Sequence, residues 1–286
     1  MRISRVSTAK TRPSVAAEAR AVDVARPRYA RAGTTNGKEF MATLAKGLAV
    51  LGAFSERRPS MSLTEAAAIA GLSRAAARRV LLTLADLGYV EQKGRDFTLT
   101  PLILELGFAY LSVKSWIERA EPLMKELATE LQDACSAATL HVAEIVCVAR
   151  VRAPSWLMSP SMTVGTRLPA FHTSLGRILL GNLDDAEIWE RLRSVPLQSF
   201  TPSTIIDRGA LLERVKSDRI QGFSIVDEEL ERGLRTIAVA IEARSGATVG
   251  AINLSAHAGR TTRNEMRDIY LPRLQAAARK ISQSLV

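Results

Sequence analysis

Residues 62–90 read SLTEAAAIAGLSRAAARRVLLTLADLGYV, two short helical segments around a three-residue break. Ser62 and Glu65 stand at capping-box spacing, and the alanines with Ile69 carry a helix over about Thr64 to Ala70. Gly71 stops that helix, Leu72 can plug the turn, and Ser73 is an N-cap for a second helix from Arg74 to about Leu87, closed by Gly88. Within it Ala77, Val80, Leu81, Leu84 and Leu87 recur at helical spacing and mark the buried stripe. Arg74 and Arg78 lie on the opposite side. Past Gly88, Tyr89 and Val90 read as a strand, Glu91 to Asp96 as a polar turn around Gly94, and Phe97 to Leu99 as the returning strand. The order is helix, turn, helix, wing.

In a winged helix-turn-helix the second helix presents its N-terminal half to base edges, so Ser73, Arg74, Ala75, Arg78 and Arg79 are the expected DNA contacts. Lys93 and Arg95 fall at the wing tip, near the phosphate backbone. Arginine suits a guanine edge or a phosphate equally, and its presence alone does not choose between them. The alternatives are a merely solvated basic face, or a winged helix that binds protein.

Charge follows the same division. The chain carries +10 overall; residues 1–37 hold eight Arg and Lys against two acids, residues 38–101 hold nine against six, and the other 185 residues are close to neutral. Positive charge is concentrated where phosphate would be met. Residues 1–37 lack clustered large apolar side chains and contain Pro13, Pro27 and Gly33, so a disordered basic tail is expected. Its Arg-rich, acid-poor composition faintly resembles a transit peptide but has no apolar core for secretion.

The 286 residues, 47% of them hydrophobic, suit one small domain and one of ordinary size. The expected division is the tail, a winged helix-turn-helix domain over 38–101, a linker helix over 102–119 and a body over 120–286. A helix over Phe40 to Phe54, with Leu44, Leu48 and Leu51 on one face, would complete a three-helix core in the small domain. Pro101 ends the wing, and Leu102 to Val113 and Trp116 to Leu131 read as helices, the latter with Leu123, Leu127 and Leu131 on a stripe. No segment is apolar enough to span a bilayer, and Cys135 and Cys147 make neither a disulfide framework nor a zinc pattern. A cytoplasmic protein without metal or cofactor is expected.

The body opens with strand-like runs at Ala138 to Val142 and Ile145 to Val151. A second pair, Thr236 to Ile241 and Val249 to Ser255, flanks a turn at Ser245 and Gly246, while Leu175 to Leu183 and Leu211 to Val215 look helical. This is an α+β body, an antiparallel sheet with helices against it. Alternation puts Ile237, Val239 and Ile241 on one face and Thr236, Ala238 and Ala240 on the other, with Asn253 and Ser255 sharing a face of the partner strand. Small and polar residues there either leave a pocket for a polar ligand or bond one another in a closed core.

Four stretches in order, SLTEAAAIAGLSRAAARRVLLTLADLGYV, FTLTPLILELGFAYLS (97–112), VGTRLPAFHTSLGRILLG (164–181) and GFSIVDEELERGLRTIAVAI (222–241), resemble the IclR family of bacterial transcription regulators. The likeness runs from about residue 38 to the C-terminus and is strongest to the PcaR/PobR/PcaU branch, which controls the breakdown of aromatic acids. The resemblance implies a winged helix joined by a helix to a GAF-like α+β effector-binding domain, a homodimer or homotetramer on promoter DNA, and a small organic acid, aromatic or another carbon source, as effector. It places the effector among His172, Ser174 and Leu175 of the loop wall, Leu234 and Thr236 of one strand and Asn253 and Ser255 of the next, with Asp227 near an acidic position that helps close the pocket. Ala240 departs from the proline common in the family. Arg177 and Arg235 fit the family pattern and are expected to make ordinary ion pairs, and His172 is either a carboxylate ligand or structural.

The rival class is an enzyme using Cys147 or Ser174 with His172 as base. No motif around these residues carries the signature of an activated nucleophile.

Overall fold

A computed structural model describes residues 40–55, 58–111, 115–153 and 162–285; the expected basic tail lies outside them. The chain divides into two compact units, residues up to Gly107 and residues from Phe108 on.

The first unit holds α1 (Ala42–Leu51), β1 (Ser60–Ser62), α2 (Leu63–Ala70), α3 (Arg74–Asp86), β2 (Val90–Lys93) and β3 (Asp96–Leu99), and α4 (Leu104–Leu111) runs across the division. The local signals hold at each end. Ser62 and Glu65 make the reciprocal capping box, Gly71 takes the left-handed conformation that ends α2, and the Ser73 hydroxyl accepts from the Ala76 N–H at the start of α3. Leu81 and Leu84 of α3 pack with Val50, Met61, Ala66, Val90 and Phe97 in one core, and Ala77 is buried on the same helix. The wing gains a strand the sequence reading lacked, because β1 pairs antiparallel with β3 to give the order β1-β3-β2.

Two expectations are corrected here. Leu87 is 59% exposed, since α3 stops at Asp86 and the chain turns away before Leu87 reaches the core. In α1, Leu44 is 59% and Leu48 40% exposed; the helix sinks Ala49 and Val50 instead, followed by Ala53 and Phe54. Leu44 and Leu48 therefore face outward, while Leu51 packs against that core.

The second unit runs α5 (Ser115–Leu131), β4 (Ala134–His141), β5 (Glu144–Val151), β6 (Arg167–Pro169), α6 (Ser174–Leu180), α7 (Asp185–Ser194), α8 (Arg208–Gln221), β7 (Ser224–Asp227), β8 (Leu234–Glu242), β9 (Thr248–His257), a short α9 (Arg263–Glu265) and α10 (Leu271–Ser284), a π-turn over Met266–Tyr270 joining the last two. The six strands form one antiparallel sheet in the order β6-β5-β4-β9-β8-β7. On one face α5 and α10 bury Trp116, Met124, Leu127, Leu274 and Ile281 against Ile237, Val239, Ile241, Ile252 and Leu254. On the other, α6 lies on β8, β9 and β4, α8 packs on α6, and α7 on α8. The expected alternation in β8 is observed: Ile237, Val239 and Ile241 share the first core, Ala238 the second. Residues 116, 117 and 120 of α5 are buried in this unit's core.

Candidate DNA-contacting surface and ligand pocket

Helix α3 turns Ala77, Leu81 and Leu84 inward, which leaves Ser73, Arg74, Ala75, Arg78 and Arg79 exposed on the opposite face. Arg74, Arg78 and Arg79 have no acidic partner among the described residues, so their guanidinium groups are available to an anionic surface. Lys93 and Arg95 are exposed on either side of Gly94 in the β2–β3 turn, Lys93 resting on Glu91. Both sets of expected DNA residues are thus solvent-facing cations or their helix-capping neighbours.

The pocket lies on the α6 face of the sheet. Strand register builds its floor: Asn253 of β9 stands beside Ser136 of β4, and Ser136 beside Arg150 of β5, while Thr236 of β8 pairs with Ser255. The Asn253 Oδ1 accepts the Ser136 N–H at 3.2 Å, its amide donates to Ser255 Oγ at 3.3 Å, and Arg150 Nη1 donates to Ser136 Oγ at 3.2 Å. Val226, Leu230 and Leu234 form an apolar side, Ile145 and Leu168 another, and His172, Ser174 and Leu175 the facing wall. The result is a narrow cavity of about 40 Å³.

Seven of the eight expected effector residues line this cavity; Asp227 does not. Val226 points into it, so with the two-residue alternation of β7 Asp227 faces the other way. There its carboxylate receives Arg235 Nε at 2.8 Å and Nη2 at 3.1 Å, the ordinary ion pair expected of Arg235. Arg177, with no exposed side-chain surface, likewise donates through Nη1 and Nη2 to Glu229 at 2.8 and 2.6 Å and through Nε to the Phe171 carbonyl at 2.8 Å. That clamp ties the turn carrying His172 to the β7–β8 loop carrying Leu230 and Glu231.

Arg150 is the pocket residue the sequence reading missed. Between β4 and β5 the register slips, Ala137 opposing Ala149 while Ala138 opposes Cys147. This bulge puts Val148 and Ala149 together on the α5 side and swings Arg150 to the side of Ile145 and Cys147. Burial pulls the guanidinium below its ordinary pKa, and its Nε has no hydrogen-bond partner. His172 Nδ1 and Ser174 Oγ, 2% and 1% exposed, are also without partners. Burial, with Arg177 nearby, lowers the His172 pKa to about 4, so the imidazole is neutral at pH 7.

This geometry does not make a nucleophile. Ser174 Oγ and His172 Nδ1 are bonded neither to each other nor to a third group, and burial pushes the Cys147 thiol up to about 11, leaving almost no thiolate.

Residues 108–283 match the bacterial transcriptional regulator IclR C-terminal domain, and residues 43–94 match the IclR helix-turn-helix domain. The chain belongs to the IclR family. It is 40% identical over 280 residues to the Pca regulon regulatory protein of Pseudomonas putida, covering 98% of this chain and 96% of that one. It is 35% identical to the p-hydroxybenzoate hydroxylase transcriptional activator of Acinetobacter baylyi, over 85% of this chain and 92% of that one. Among solved structures, a double mutant of the Acinetobacter PobR inducer-binding domain in complex with 3-hydroxybenzoic acid is 31% identical, with a TM-score of 0.54 over 57% of this chain and 95% of that one. This IclR-family chain is accordingly a transcription regulator with a helix-turn-helix DNA-binding domain, not an enzyme, and no helix among its described residues is long and apolar enough to cross a membrane.

Proposed function

We propose that this regulator binds promoter DNA in the cytoplasm through α3 and the wing, as a homodimer or homotetramer, and senses a small aromatic acid in the pocket on its second unit. The observation that carries the effector reading is Arg150: a half-buried cation in a cavity, its Nε unpaired and no carboxylate bonded to it among the described residues, Glu231 of the same lining acting on its charge without a hydrogen bond. A partly desolvated cation without a bonded carboxylate is costly, and a ligand carboxylate reduces that cost. Leu175, Leu230 and Leu234 supply apolar walls for a planar ring, and the regulated pathways named for the relatives support an aromatic acid. Thr236, Asn253 and Ser255 floor the site. Arg74, Arg78 and Arg79 contact DNA, with Ser73 and Ala75 close to the groove and Lys93 and Arg95 on the flanking backbone.

Binding of labelled promoter DNA, measured by fluorescence anisotropy at fixed salt with and without aromatic acids, tests this. The acid is expected to change affinity or footprint in the natural protein and to lose its effect in Arg150→Met, since a ligand shifts a conformational equilibrium only through differential affinity. An acid response that survives Arg150→Met overturns the role of Arg150.

A further inference from the structure

A second, roomier cleft of about 310 Å³ lies beside β7, an edge strand of the sheet, and its walls are mostly polar and charged. The Glu228 N–H donates to the Leu234 carbonyl at 2.8 Å, which sets the phase of the β7–β8 ladder. Ser224 and Val226 bond toward β8, while Ile225 and Asp227 turn N–H and C=O to the free edge. Both residues line the cleft, and these four backbone groups have no protein partner among the described residues. The carbonyls on either side are already taken, Phe223 by Gln221 Nε2 at 2.7 Å and Glu229 by Thr204 Oγ1 at 2.6 Å. Arg214 of α8 and Arg263 of α9 border the same space, both exposed and neither with an ion-pair or hydrogen-bond partner among the described residues. Asp218 acts on the Arg214 charge from the core, but its own hydrogen bonds come from Ser224 and Gln221.

Positive charge is in excess there. Arg235 holds the Asp227 carboxylate and Arg177 that of Glu229, so two free guanidinium groups stand against one remaining carboxylate, Glu228, which accepts the Gly233 N–H at 2.8 Å. Two guanidinium groups suit a doubly charged oxyanion, and a phosphate monoester carries about −1.5 to −2 at pH 7. The rest of the lining matches hydroxyl groups. The Ile225 and Asp227 carbonyls and Glu228 accept, and the two edge N–H groups and the Ser203 hydroxyl donate. Only Ile205 and Ile225 are apolar side chains there, which gives an aromatic ring little to pack on. We propose that this cleft is a second binding site, for a small phosphorylated polyol, with Arg214 and Arg263 on the phosphate and the β7 edge, Glu228 and Ser203 on the hydroxyls. It is separate from the acid cavity, although one loop walls both: Glu228 and Glu229 border the cleft, Leu230 and Glu231 the cavity.

Isothermal titration of the full chain with glycerol 3-phosphate, ribose 5-phosphate, inorganic phosphate and ribose tests this. At least one phosphorylated polyol is expected to bind once per chain, about tenfold or more tighter than inorganic phosphate or ribose, each of which meets only part of the site. In Arg214→Gln/Arg263→Gln, and in Arg214→Gln alone should the double variant not fold, that binding weakens about tenfold or more, while Arg150→Met leaves it unchanged. Failure of both phosphorylated polyols to bind, or binding no tighter than that of inorganic phosphate or ribose, overturns the site. Binding that the arginine variants leave intact overturns it too, by placing the anion on other cations such as those of α3. Loss of binding in Arg150→Met assigns the ligand to the acid cavity and likewise overturns the cleft.

Discussion

Arg177 is the largest side chain hidden completely among the described residues; Glu229 is its bonded counter-charge, and Asp218 also interacts with it. Breaking such a pair by removing one partner leaves a buried charge, so Arg177→Met or Glu229→Gln should each lower unfolding free energy by about 3 to 5 kcal/mol. The double variant should recover part of that loss in urea melts; equal or additive losses would show that the charge pairing is not the cause. His172 makes a different prediction. Its pKa is near 6.5 in the unfolded chain and about 4 in the fold, so between those values the unfolded state binds the extra proton. Stability from this residue is fully present above pH 6.5 and falls as pH drops toward 4, by up to about 3 kcal/mol. Asp133 and Asp218, whose carboxyls burial raises, act in the opposite sense, so the measurement is the difference between the natural chain and His172→Phe in melts across pH 4 to 7. A difference that is flat with pH would refute a buried neutral imidazole.

At the scale of elements, α3 was legible because its signals are local: the Ser73 cap, the glycines at each end and the inward Ala77, Leu81 and Leu84 all sit within one segment. Arg78→Ala should cost about 1 to 3 kcal/mol of operator affinity and relax one position of the site if Arg78 reads a base, or lower the salt slope by about one if it meets a phosphate. Affinity and salt slope both unchanged would remove Arg78 from the interface. Helix α6 is pinned by close approach rather than by propensity. Gly176→Ala drives a Cβ into the Ala170 backbone, and the expected loss of about 3 kcal/mol or more comes with loss of ligand binding, because the turn carrying His172 must move. Strand β4 was read four residues short. Its first five residues, Ala134 to Ala138, are buried on both faces, so no polar alternation announces them.

At the scale of the whole molecule, the outward leucines of α1 are the feature that asks for a partner. Leu44 and Leu48 of this short helix, with Phe40 and Met41 just before it, leave large apolar side chains exposed, as interaction surfaces do. Light scattering should show Leu44→Glu/Leu48→Glu with a smaller assembly and weaker operator binding, while thermal melts show the chain still folded, since neither side chain contributes to the core. An unchanged assembly would place self-association elsewhere. The family resemblance covered both units, and the family matches over residues 43–94 and 108–283 bear it out.

The sequence by itself determined the helix-turn-helix and its wing, the α+β class of the body, the family and the two-faced alternation of β8, because caps, glycines and periodicity act over a few residues. Strand alternation pointed to Thr236, Asn253 and Ser255, and the family resemblance to His172, Ser174, Leu175 and Leu234; these seven line one cavity. Tertiary structure decided the rest. Asp227 faces away from the cavity because Val226 beside it faces in, and Arg150 enters because a bulge shifts the phase of β5 against β4. A two-residue alternation is a local rule, but which face receives it, and where it slips, is set by pairing between strands distant in the chain.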